Sequence, residues 1–371
     1  MEIRYANVVL RDMVESDIED CVRWFTVERD WEDWDAPWEK ADTDEATQRA
    51  EWSAYYASVK ELPADIRRWR FEIDCDGRHV GWVGAYLIDE QYEWITRKEV
   101  REGQKVHTAI GIDLCEPDAT GKGIGTNALH ALMNYCFDSG EDMLFTQTWS
   151  GNARMLRCAA KLGFTVCDRE RGIREVRGKR YDGLTLCVRK DYFALDGAAL
   201  FRHVRPGFFD QAYIRHLPPD ESYEEQLLDL RTYVPTADTP CPANITFGWY
   251  KGDIAALHAA VASVEKGWVQ FFRADSRVYC GFDGERVVSF CLADDFGEFA
   301  GLRIGGPGCV GTIPAYRRQG IGLRMVADMT ALLKDEGYAL GYIHYTQVGA
   351  WYARLGYRTI VRWNGAGIAG E

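Results

Sequence analysis

The sequence contains no long uninterrupted apolar run. A membrane-spanning helix needs about 18 or more consecutive apolar residues, and no stretch of this chain approaches that length. The first residues, Met1 to Tyr5, contain neither a basic segment nor an apolar core, so we expect no secretory signal. These absences predict a cytoplasmic protein with no membrane partner.

Disulfide and metal-site patterns are also missing. The chain has 11 cysteines, yet no two of them form a C-x-x-C pair. Several lie within apolar stretches, which is typical of buried, reduced thiols. We therefore expect neither a disulfide framework nor a bound metal.

Positive charge is scarce. The 44 Lys and Arg residues are outnumbered by 57 Asp and Glu residues, which gives a formal net charge of −13. This balance argues against nucleic acid as a partner and favours a cationic one. With 371 residues the chain is too long for one ordinary core and fits two domains of roughly 150–200 residues each.

What the sequence does contain is the same pair of motifs twice. Each copy is a glycine-rich turn that is followed, at similar spacing, by a helix ending on Gly and an aromatic residue. The first copy reads Gly121-Lys122-Gly123-Ile124-Gly125, then Lys161-Leu162-Gly163-Phe164. The second reads Arg317-Arg318-Gln319-Gly320-Ile321-Gly322, then Arg354-Leu355-Gly356-Tyr357. Such an internal repeat predicts two homologous domains in tandem.

Strand and helix patterns around the motifs indicate an α/β architecture in both halves. We predict an N-terminal domain over residues 1–194 and a C-terminal domain over residues 240–371. Between them, residues 195–239 are rich in proline, with one amphipathic stretch near residues 223–230. We interpret that segment as a partly ordered linker.

A glycine-rich turn between a strand and a helix can hold a pyrophosphate group. Glycine lets main-chain N–H groups point inward, and the helix behind them contributes the positive end of its dipole. The turns lack the Gly-Lys-Ser/Thr of a nucleotide-triphosphate loop. A dinucleotide-binding βαβ unit is disfavoured, because the turn follows several predicted strands. A purely structural turn remains the alternative.

The strand, the turn Arg-x-x-Gly-x-Gly, the helix, the strand and the short helix ending in Gly-Phe/Tyr resemble the core of the GNAT acetyltransferases. Residues 317–322 match that signature in full, and residues 120–125 match it with Thr120 in place of the usual Arg or Gln. The resemblance implies two GNAT-like α/β (α+β) domains. Each would be a mixed, mostly antiparallel twisted sheet flanked by helices.

The resemblance also implies acetyl-CoA as the donor substrate, with no metal. Its pyrophosphate would lie on the main-chain N–H groups of both turns, and its pantetheine arm between the fourth and fifth strands. The cofactor-binding residues so implied are Gly121, Lys122, Gly123, Ile124, Gly125, Thr126 and Asn152 in the first domain, and Arg317, Arg318, Gln319, Gly320, Ile321 and Gly322 in the second.

The implied reaction is N-acetylation of an amine. The acidic balance and the Trp-rich acidic segment at residues 24–39 favour a primary amine on a small, cationic acceptor that is aminoglycoside-like or polyamine-like. Acetylation of a protein N-terminus or lysine is an alternative within the same class. A non-catalytic acyl-CoA sensor is an alternative of another class, because each domain departs from the family pattern at one position. The sequence leaves open which domain is catalytic and which oligomer forms.

Those departures concern the proton donor and the pantetheine contact. Family members commonly have Tyr four residues before the helix-ending Gly, as the acid that protonates coenzyme A. The second domain has Tyr352 there, so we predict Tyr352 as the catalytic acid, with a core tyrosine as the alternative. The first domain has Ala159, and Ser150 or Cys158 could replace the acid. Counting back from each Gly also pairs Asn152, which the resemblance assigns to pantetheine, with Tyr345; Asn152 could equally be a helix cap.

Candidates for the general base are Asp113 in the first domain and Glu298 and His344 in the second, each of which could instead be an ordinary surface residue. The segment from Trp24 to Glu39 carries four Trp residues among six acidic ones. In the resembled fold it borders the acceptor cleft, where aromatic faces and carboxylates suit a polycationic amine. The alternative is a structured loop whose Trp side chains are buried.

Overall fold

The chain folds into two compact units, residues 1–194 and residues 195–371. The structure is a computed structural model that describes residues 1–218, 220–235 and 239–370. Both units combine a β-sheet with flanking helices, which confirms the predicted α/β class. Within the described ranges, no helix has both the length and the apolar character needed to cross a membrane.

The first unit is built on one mixed sheet. Its strands are β1 (Glu2–Tyr5), β2 (Val8–Arg11), β3 (Arg70–Cys75), β4 (Arg78–Ile88), β5 (Trp94–Ile95), β6 (His107–Leu114), β7 (Met143–Trp149), β8 (Thr165–Val176) and β9 (Lys179–Arg189). Its helices are α1 (Asp17–Thr26), α2 (Glu45–Val59), α3 (Ile124–Asp138), α4 (Ala153–Lys161) and α5 (Lys190–Phe193). The strand order is β1-β2-β3-β4-β6-β7-β9-β8, with β5 beside β4, and β6 and β7 run parallel.

Local sequence explains the elements that hold the first glycine turn. The β3–β4 hairpin turns at Asp76 and Gly77, whose φ angles of 53° and 76° suit a tight turn between twisted strands. Helix α3 buries Ala128, Leu129 and Leu132, so one apolar stripe packs inside the unit. The turn before α3 is therefore fixed at the end of β6.

The second unit has its own mixed sheet. Its strands are β10 (Tyr223–Asp229), β11 (Ile245–Trp249), β12 (Val278–Asp283), β13 (Arg286–Phe299), β14 (Leu302–Thr312), β15 (Leu340–Thr346), β16 (Arg358–Asn364) and β17 (Gly367–Gly370). Its helices are α6 (Gly197–Val204), α7 (Ala212–Arg215), α8 (Ile254–Ala262), α9 (Ile321–Asp335) and α10 (Gly349–Tyr352). The strand order is β11-β12-β13-β14-β15-β10-β16-β17, and β14 and β15 run parallel.

The linker predicted over residues 195–239 is wrong for most of its length. Residues from Leu195 onward belong to the second unit, and β10 lies inside its sheet between β15 and β16. The buried face of β10 includes Glu225 and Gln226, polar residues that hide the apolar pattern of a strand. Pro219 and residues 236–238 of the predicted linker lie outside the described residues.

The two sheets use different chain segments at the same position. In the first unit the neighbour of β7 is β9, which follows it in sequence. In the second unit the neighbour of β15 is β10, which precedes the rest of the sheet in sequence. The second unit therefore departs from the first in its strand connections.

Candidate active site

The first glycine turn joins β6 to α3 through a short 3-10 helix at Pro117–Ala119. Gly121 and Gly123 have φ angles of 78° and 82°, and Gly123 directly precedes α3. The first N–H groups of α3 have no partner within the helix, and Gly123 has no side chain with which to cap them. A Cβ atom at either glycine would meet no described protein atom within 4 Å. The turn therefore offers donors and open space to an anion such as pyrophosphate.

A cavity of about 490 Å³ extends from this turn into the first unit. Its walls include Gly121 and Thr126 from the turn, Asp113 from β6, Thr148 from β7 and Asp35 from the loop after α1. The start of α4 forms a further wall. One continuous space thus connects the turn, the sheet and the loop after α1.

The cavity enters the sheet between its parallel strands. β6 and β7 pair at Ala109 and Phe145. Beyond that point Ile112, Asp113 and Thr148 line the cavity instead of closing it. This opening corresponds to the gap that the family resemblance implies between the fourth and fifth strands.

Two carboxylates, Asp35 and Asp113, share the inner part of the cavity. Burial raises the pKa of Asp113 well above its usual range, and the nearby charge of Asp35 raises it further. Burial, followed by the charges of Glu39 and Glu32, raises the pKa of Asp35 to about 6. Asp35 keeps exposed surface and lines the cavity, where the neighbouring carboxylates add to the cost of ionising it.

The tryptophans of the segment Trp24–Glu39 divide between the core and the cavity. Trp24 is fully buried, whereas Trp31 and Trp34 line the cavity. Trp38 packs edge-on against another indole at the end of β7. One part of the segment is therefore a structured loop with a buried Trp side chain, and another part is a wall of the cavity.

The acidic residues of that segment divide in the same way. Glu32 pairs with Arg29 at 2.9 Å, and Asp33 pairs with Lys40 at 2.7 Å. Asp35 instead faces the cavity. Nothing in the sequence distinguishes Asp35 from the other five acidic residues of the segment, because ion pairing depends on tertiary structure.

The predicted cofactor residues of the first unit are not all brought together. Gly121, Gly123, Gly125, Thr126 and Asn152 line the cavity described above. Lys122 and Ile124 line a smaller cavity of about 290 Å³ on another side of the turn. The side chain of Asn152 is hydrogen-bonded to protein at both ends of its amide, and its contact with pantetheine stays a prediction.

The two candidates that could replace the acid in the first unit differ in position. The Cys158 thiol lies 3.4 Å from the Thr126 hydroxyl and lines the cavity. Burial raises the pKa of that thiol. The Ser150 hydroxyl accepts a hydrogen bond from the main-chain N–H of Asp182 at 2.9 Å, so it is used in joining strand ends.

The second glycine turn has the same backbone conformation in different surroundings. Arg318 and Gly320 have φ angles of 62° and 82°, and Gly320 directly precedes α9. A Cβ atom at Gly320 would lie 1.9 Å from the carbonyl oxygen of Pro240. One at Gly322 would lie 3.6 Å from the indole of Trp351. The main chain at Pro240 thus packs against the second turn at the position that corresponds to the open Gly123, whereas Gly125 and Gly322 both have side chains nearby.

A cavity of about 700 Å³ adjoins the second turn. It is lined by all the predicted cofactor residues of this unit, which are Arg317, Arg318, Gln319, Gly320, Ile321 and Gly322. Of the described residues of β14 and β15, Thr312 alone contributes to its lining. The second cavity therefore remains at the turn, whereas the first enters the sheet.

Tyr352 belongs to the core of the second unit. Its side chain is 6 % exposed and packs against Trp351 and Tyr357. Burial raises the pKa of its hydroxyl. Among the described residues that line the cavity beside the second turn, Tyr352 is absent. Its role as the catalytic acid stays a prediction.

The pairing of Asn152 with Tyr345 is wrong. Asn152 directly precedes α4, whereas Tyr345 lies on β15. The reason is length: α4 spans nine residues, and α10 spans four residues before a short 3-10 helix over Ala353–Leu355. Counting back from the two helix-ending glycines therefore loses register before the helix begins.

Of the two base candidates in the second unit, Glu298 is exposed near the end of β13. His344 is held by a residue that the sequence analysis missed. Its Nδ1 atom lies 2.9 Å from Oε2 of Glu225, a fully buried carboxylate on β10 that also accepts a hydrogen bond from the Trp363 indole at 2.7 Å. Glu225 was missed because β10 was interpreted as linker.

Comparison with known families identifies the first unit. The family model described as an acetyltransferase (GNAT) domain matches residues 7–165, the part of the chain that holds the open turn and most of its cavity. The first unit is a GNAT acetyltransferase domain. GNAT acetyltransferases transfer an acetyl group from acetyl-CoA to an amine, and the open turn fits the pyrophosphate of that donor.

Several solved structures are also similar to this chain. The acetyltransferase (GNAT family) from Bacillus anthracis is 14% identical, with a TM-score of 0.38, over 52% of this chain and 99% of that one. RimJ from Mycobacterium smegmatis, in complex with CoA-disulfide, is 19% identical, with a TM-score of 0.40, over 53% and 88%. A glucosamine N-acetyltransferase region of a fungal multi-domain β-N-acetylglucosaminidase is 17% identical, with a TM-score of 0.36, over 97% and 38%. A search of curated proteins found no significant match.

Proposed function

We propose that the first unit transfers the acetyl group of acetyl-CoA to a primary amine of a small, cationic acceptor, aminoglycoside-like or polyamine-like. The observation that carries this proposal is the continuous cavity from the glycine turn to Asp35 and Asp113. Direct acyl transfer requires donor and acceptor to be held in one space. The 11 free cysteines further support a reducing, cytoplasmic location.

The donor end of the cavity is the first glycine turn. In our proposal the N–H groups from Gly121 to Thr126 hold the pyrophosphate, aided by the positive end of the α3 dipole. Arg157 and Lys161 line the same cavity from α4 and add positive charge for the phosphates. Ile112 on β6 lines the path into the sheet, where the pantetheine arm would lie.

The acceptor end is the wall formed by Trp31, Trp34 and Asp35. A cation over an aromatic face gains roughly 0.5–2 kcal/mol. The guanidinium of Arg154 already lies 4.0 Å from the centre of the Trp34 ring, which is the kind of contact that we expect an acceptor ammonium group to make with Trp31. Asp35 would bind the same cationic acceptor through its charge.

An amine attacks a thioester only after losing its ammonium proton. The raised pKa of Asp113 makes its carboxylate a stronger base than usual, so we assign to it the removal of the proton from the attacking nitrogen. As the C–N bond forms and the C–S bond breaks, the sulfur leaves as a thiolate. Burial keeps the Cys158 thiol protonated near neutral pH, and we assign to it the proton that the thiolate takes.

The shape of the acceptor end supports a small acceptor over a protein tail. The carbonyl of Trp34 accepts hydrogen bonds from the end of β7 and the start of α4. Arg177, between β8 and β9, pairs with Asp33 at 2.9 Å. These contacts tie the loop after α1 to the start of α4, a further wall of the cavity, and to the β8–β9 turn, whereas a protein tail needs a groove that is open at both ends.

We propose further that the second unit is a GNAT-like domain in tandem that does not transfer acetyl groups. The contacts of Pro240 and Trp351 with the second turn support this assignment. So does the extent of the second cavity, which stays at the turn. A cavity that stays at the turn among the described residues would bring no thiolate to Tyr352, and we therefore assign the reaction to the first unit.

The test is release of free thiol from acetyl-CoA by the full-length chain with a panel of acceptors. The panel contains spermidine, an aminoglycoside, a neutral monoamine and a peptide with a free N-terminus and a lysine. We expect thiol release and a product heavier by one acetyl group with the polycationic small amines. Release with the peptide alone would favour a protein acetyltransferase. Acetyl-CoA binding without release for any amine would favour a sensor.

A further inference from the structure

We infer that Asn152 is a positioning residue for the acceptor pocket of the first unit, and that it acts through the carbonyl group of Trp34. This inference rests on the proposed function, because it concerns the pocket that would bind the acceptor. The family resemblance assigns Asn152 to the donor instead. The hydrogen bonds of its amide point to the acceptor side.

The Asn152 side chain is 7 % exposed and is used at both ends of its amide. Its Oδ1 atom accepts a hydrogen bond from the main-chain N–H of Met155 at 3.0 Å, which caps α4. Its Nδ2 atom donates to the carbonyl oxygen of Trp34 at 2.7 Å. The partners fix this orientation of the amide, because a main-chain N–H can only donate and a carbonyl oxygen can only accept.

The same carbonyl oxygen has a second donor. The indole Nε1 of Trp149, the last residue of β7, donates to it at 3.0 Å. Trp149 is 5 % exposed, and a Cβ atom at Gly151 would lie 1.8 Å from its ring. The connection from β7 to α4 is thus built closely around this indole. Two buried donors on one carbonyl use both of its lone pairs and fix its direction.

The orientation of the Trp34 carbonyl also determines where the main-chain N–H and Cα of Asp35 lie. The carbonyl of Trp34 and the N–H and Cα of Asp35 lie in one planar peptide unit. The orientation of this unit therefore sets the direction from which the Asp35 side chain enters the cavity. Asn152 and Trp149 determine in this way where the Asp35 carboxylate lies relative to Asp113.

Two variants each remove one of the two hydrogen bonds to the Trp34 carbonyl. Asn152→Asp keeps an oxygen that can cap α4, but it removes the donor and directs a negative charge at the Trp34 carbonyl. Trp149→Phe keeps an aromatic ring and removes the indole N–H alone. Asn134→Asp is the matched control, because Asn134 lies on α3 and is hydrogen-bonded to His130 on the same helix.

The readouts are the KM and the calorimetric Kd for spermidine, together with the Kd for acetyl-CoA. For Asn152→Asp and Trp149→Phe we expect both spermidine constants to rise roughly tenfold, since small displacements of a binding group have large effects. The Kd for acetyl-CoA should stay within twofold of wild type. Asn134→Asp should change none of the three constants.

A weaker acetyl-CoA affinity with unchanged spermidine constants would overturn the inference in favour of the pantetheine contact. Unchanged constants throughout would overturn it as well. Trp149→Phe leaves the α4 cap intact, so it provides the test if Asn152→Asp fails to fold. Spermidine binding needs no turnover, so a wild-type protein that binds spermidine without acetylating it would contradict the proposed function while this inference could still be tested.

Discussion

The two glycine turns of this chain share a backbone conformation and differ in how far the cavity beside each of them extends. Gly123 and Gly320 have the same φ angle of 82° at the start of equivalent helices. The first turn opens into a cavity that enters the sheet, whereas the carbonyl of Pro240 packs against the second. The motif therefore determines the shape of the turn, and residues outside the motif determine how far the adjoining cavity extends.

A second difference lies on the helix that faces each turn. Five residues before the helix-ending glycine, the first unit has Cys158 and the second has Trp351. The small thiol lies beside the first turn next to a continuous cavity, and the indole approaches Gly322 where the second cavity ends. The side chain at this position is thus larger in the unit whose cavity stays at the turn.

The largest effect should come from the proposed base. Asp113→Asn should lower kcat by roughly 100-fold or more, the range attributed to general acid–base catalysis, and leave the acetyl-CoA Kd unchanged. The control is Asp294→Asn on β13 of the second unit, a carboxylate whose pKa is also raised by burial. Its kcat should match wild type. Equal losses of kcat in Asp113→Asn and Asp294→Asn would contradict the assignment of the reaction to the first unit.

A smaller effect should separate two acidic residues of one loop. Asp35→Asn should raise the acceptor KM roughly tenfold, equivalent to about 1.4 kcal/mol, because Asp35 faces the cavity. Asp30→Asn makes the same charge change at an exposed position outside the cavity lining and should leave KM unchanged. Steady-state kinetics with spermidine measures both. Equal shifts in KM would indicate a general charge effect on acceptor binding.

The pH dependence should be a few-fold effect. Asp35, whose pKa is raised to about 6, is ionised above that value and protonated below it. Attraction for a cationic acceptor is therefore present at pH 7 and is lost as the pH falls through about 6, so KM should rise there. The acceptor ammonium groups stay charged over this range, and Asp35→Asn should lack the rise. A rise that persists in that variant would assign the titration to another group.

The smallest effect should be at Tyr352. Tyr352→Phe preserves the packing of a buried ring and should leave kcat within twofold of wild type, because the cavity beside the second turn, as far as the described residues line it, stays at the turn. Thiol release under saturating acetyl-CoA measures this. A loss of kcat by an order of magnitude would indicate that the second unit catalyses the reaction.

The sequence predicted those features that are encoded locally. The two repeated turns and the helices after each turn depend on residues close together in the chain, and the structure contains them all. The family of the first unit was likewise evident from its turn and the helix ending at Gly163. Asp113 was proposed as a base from its position just before the turn, and it does line the cavity.

The features that could not be predicted depend on distant contacts. β10 is hidden because Glu225 and Gln226 are polar at buried positions, and Glu225 is satisfied only by partners such as Trp363 on another strand. The contact of Pro240 with Gly320 leaves no local signal. The ion pair of Asp33 with Lys40 likewise distinguishes it from Asp35 only in three dimensions.

Calorimetric titration of acetyl-CoA into the full-length chain tests most directly that the first turn alone serves the donor. Gly121→Asp and Arg318→Asp place Asp at corresponding positions, because both are exposed, lie two residues before the helix-capping glycine and have positive φ, which Asp tolerates comparatively well. We predict one site in the wild type, with affinity lowered roughly 10- to 100-fold by Gly121→Asp, about 1.4–2.8 kcal/mol, and unchanged by Arg318→Asp. Two sites, or a loss of affinity in Arg318→Asp with none in Gly121→Asp, would contradict the account.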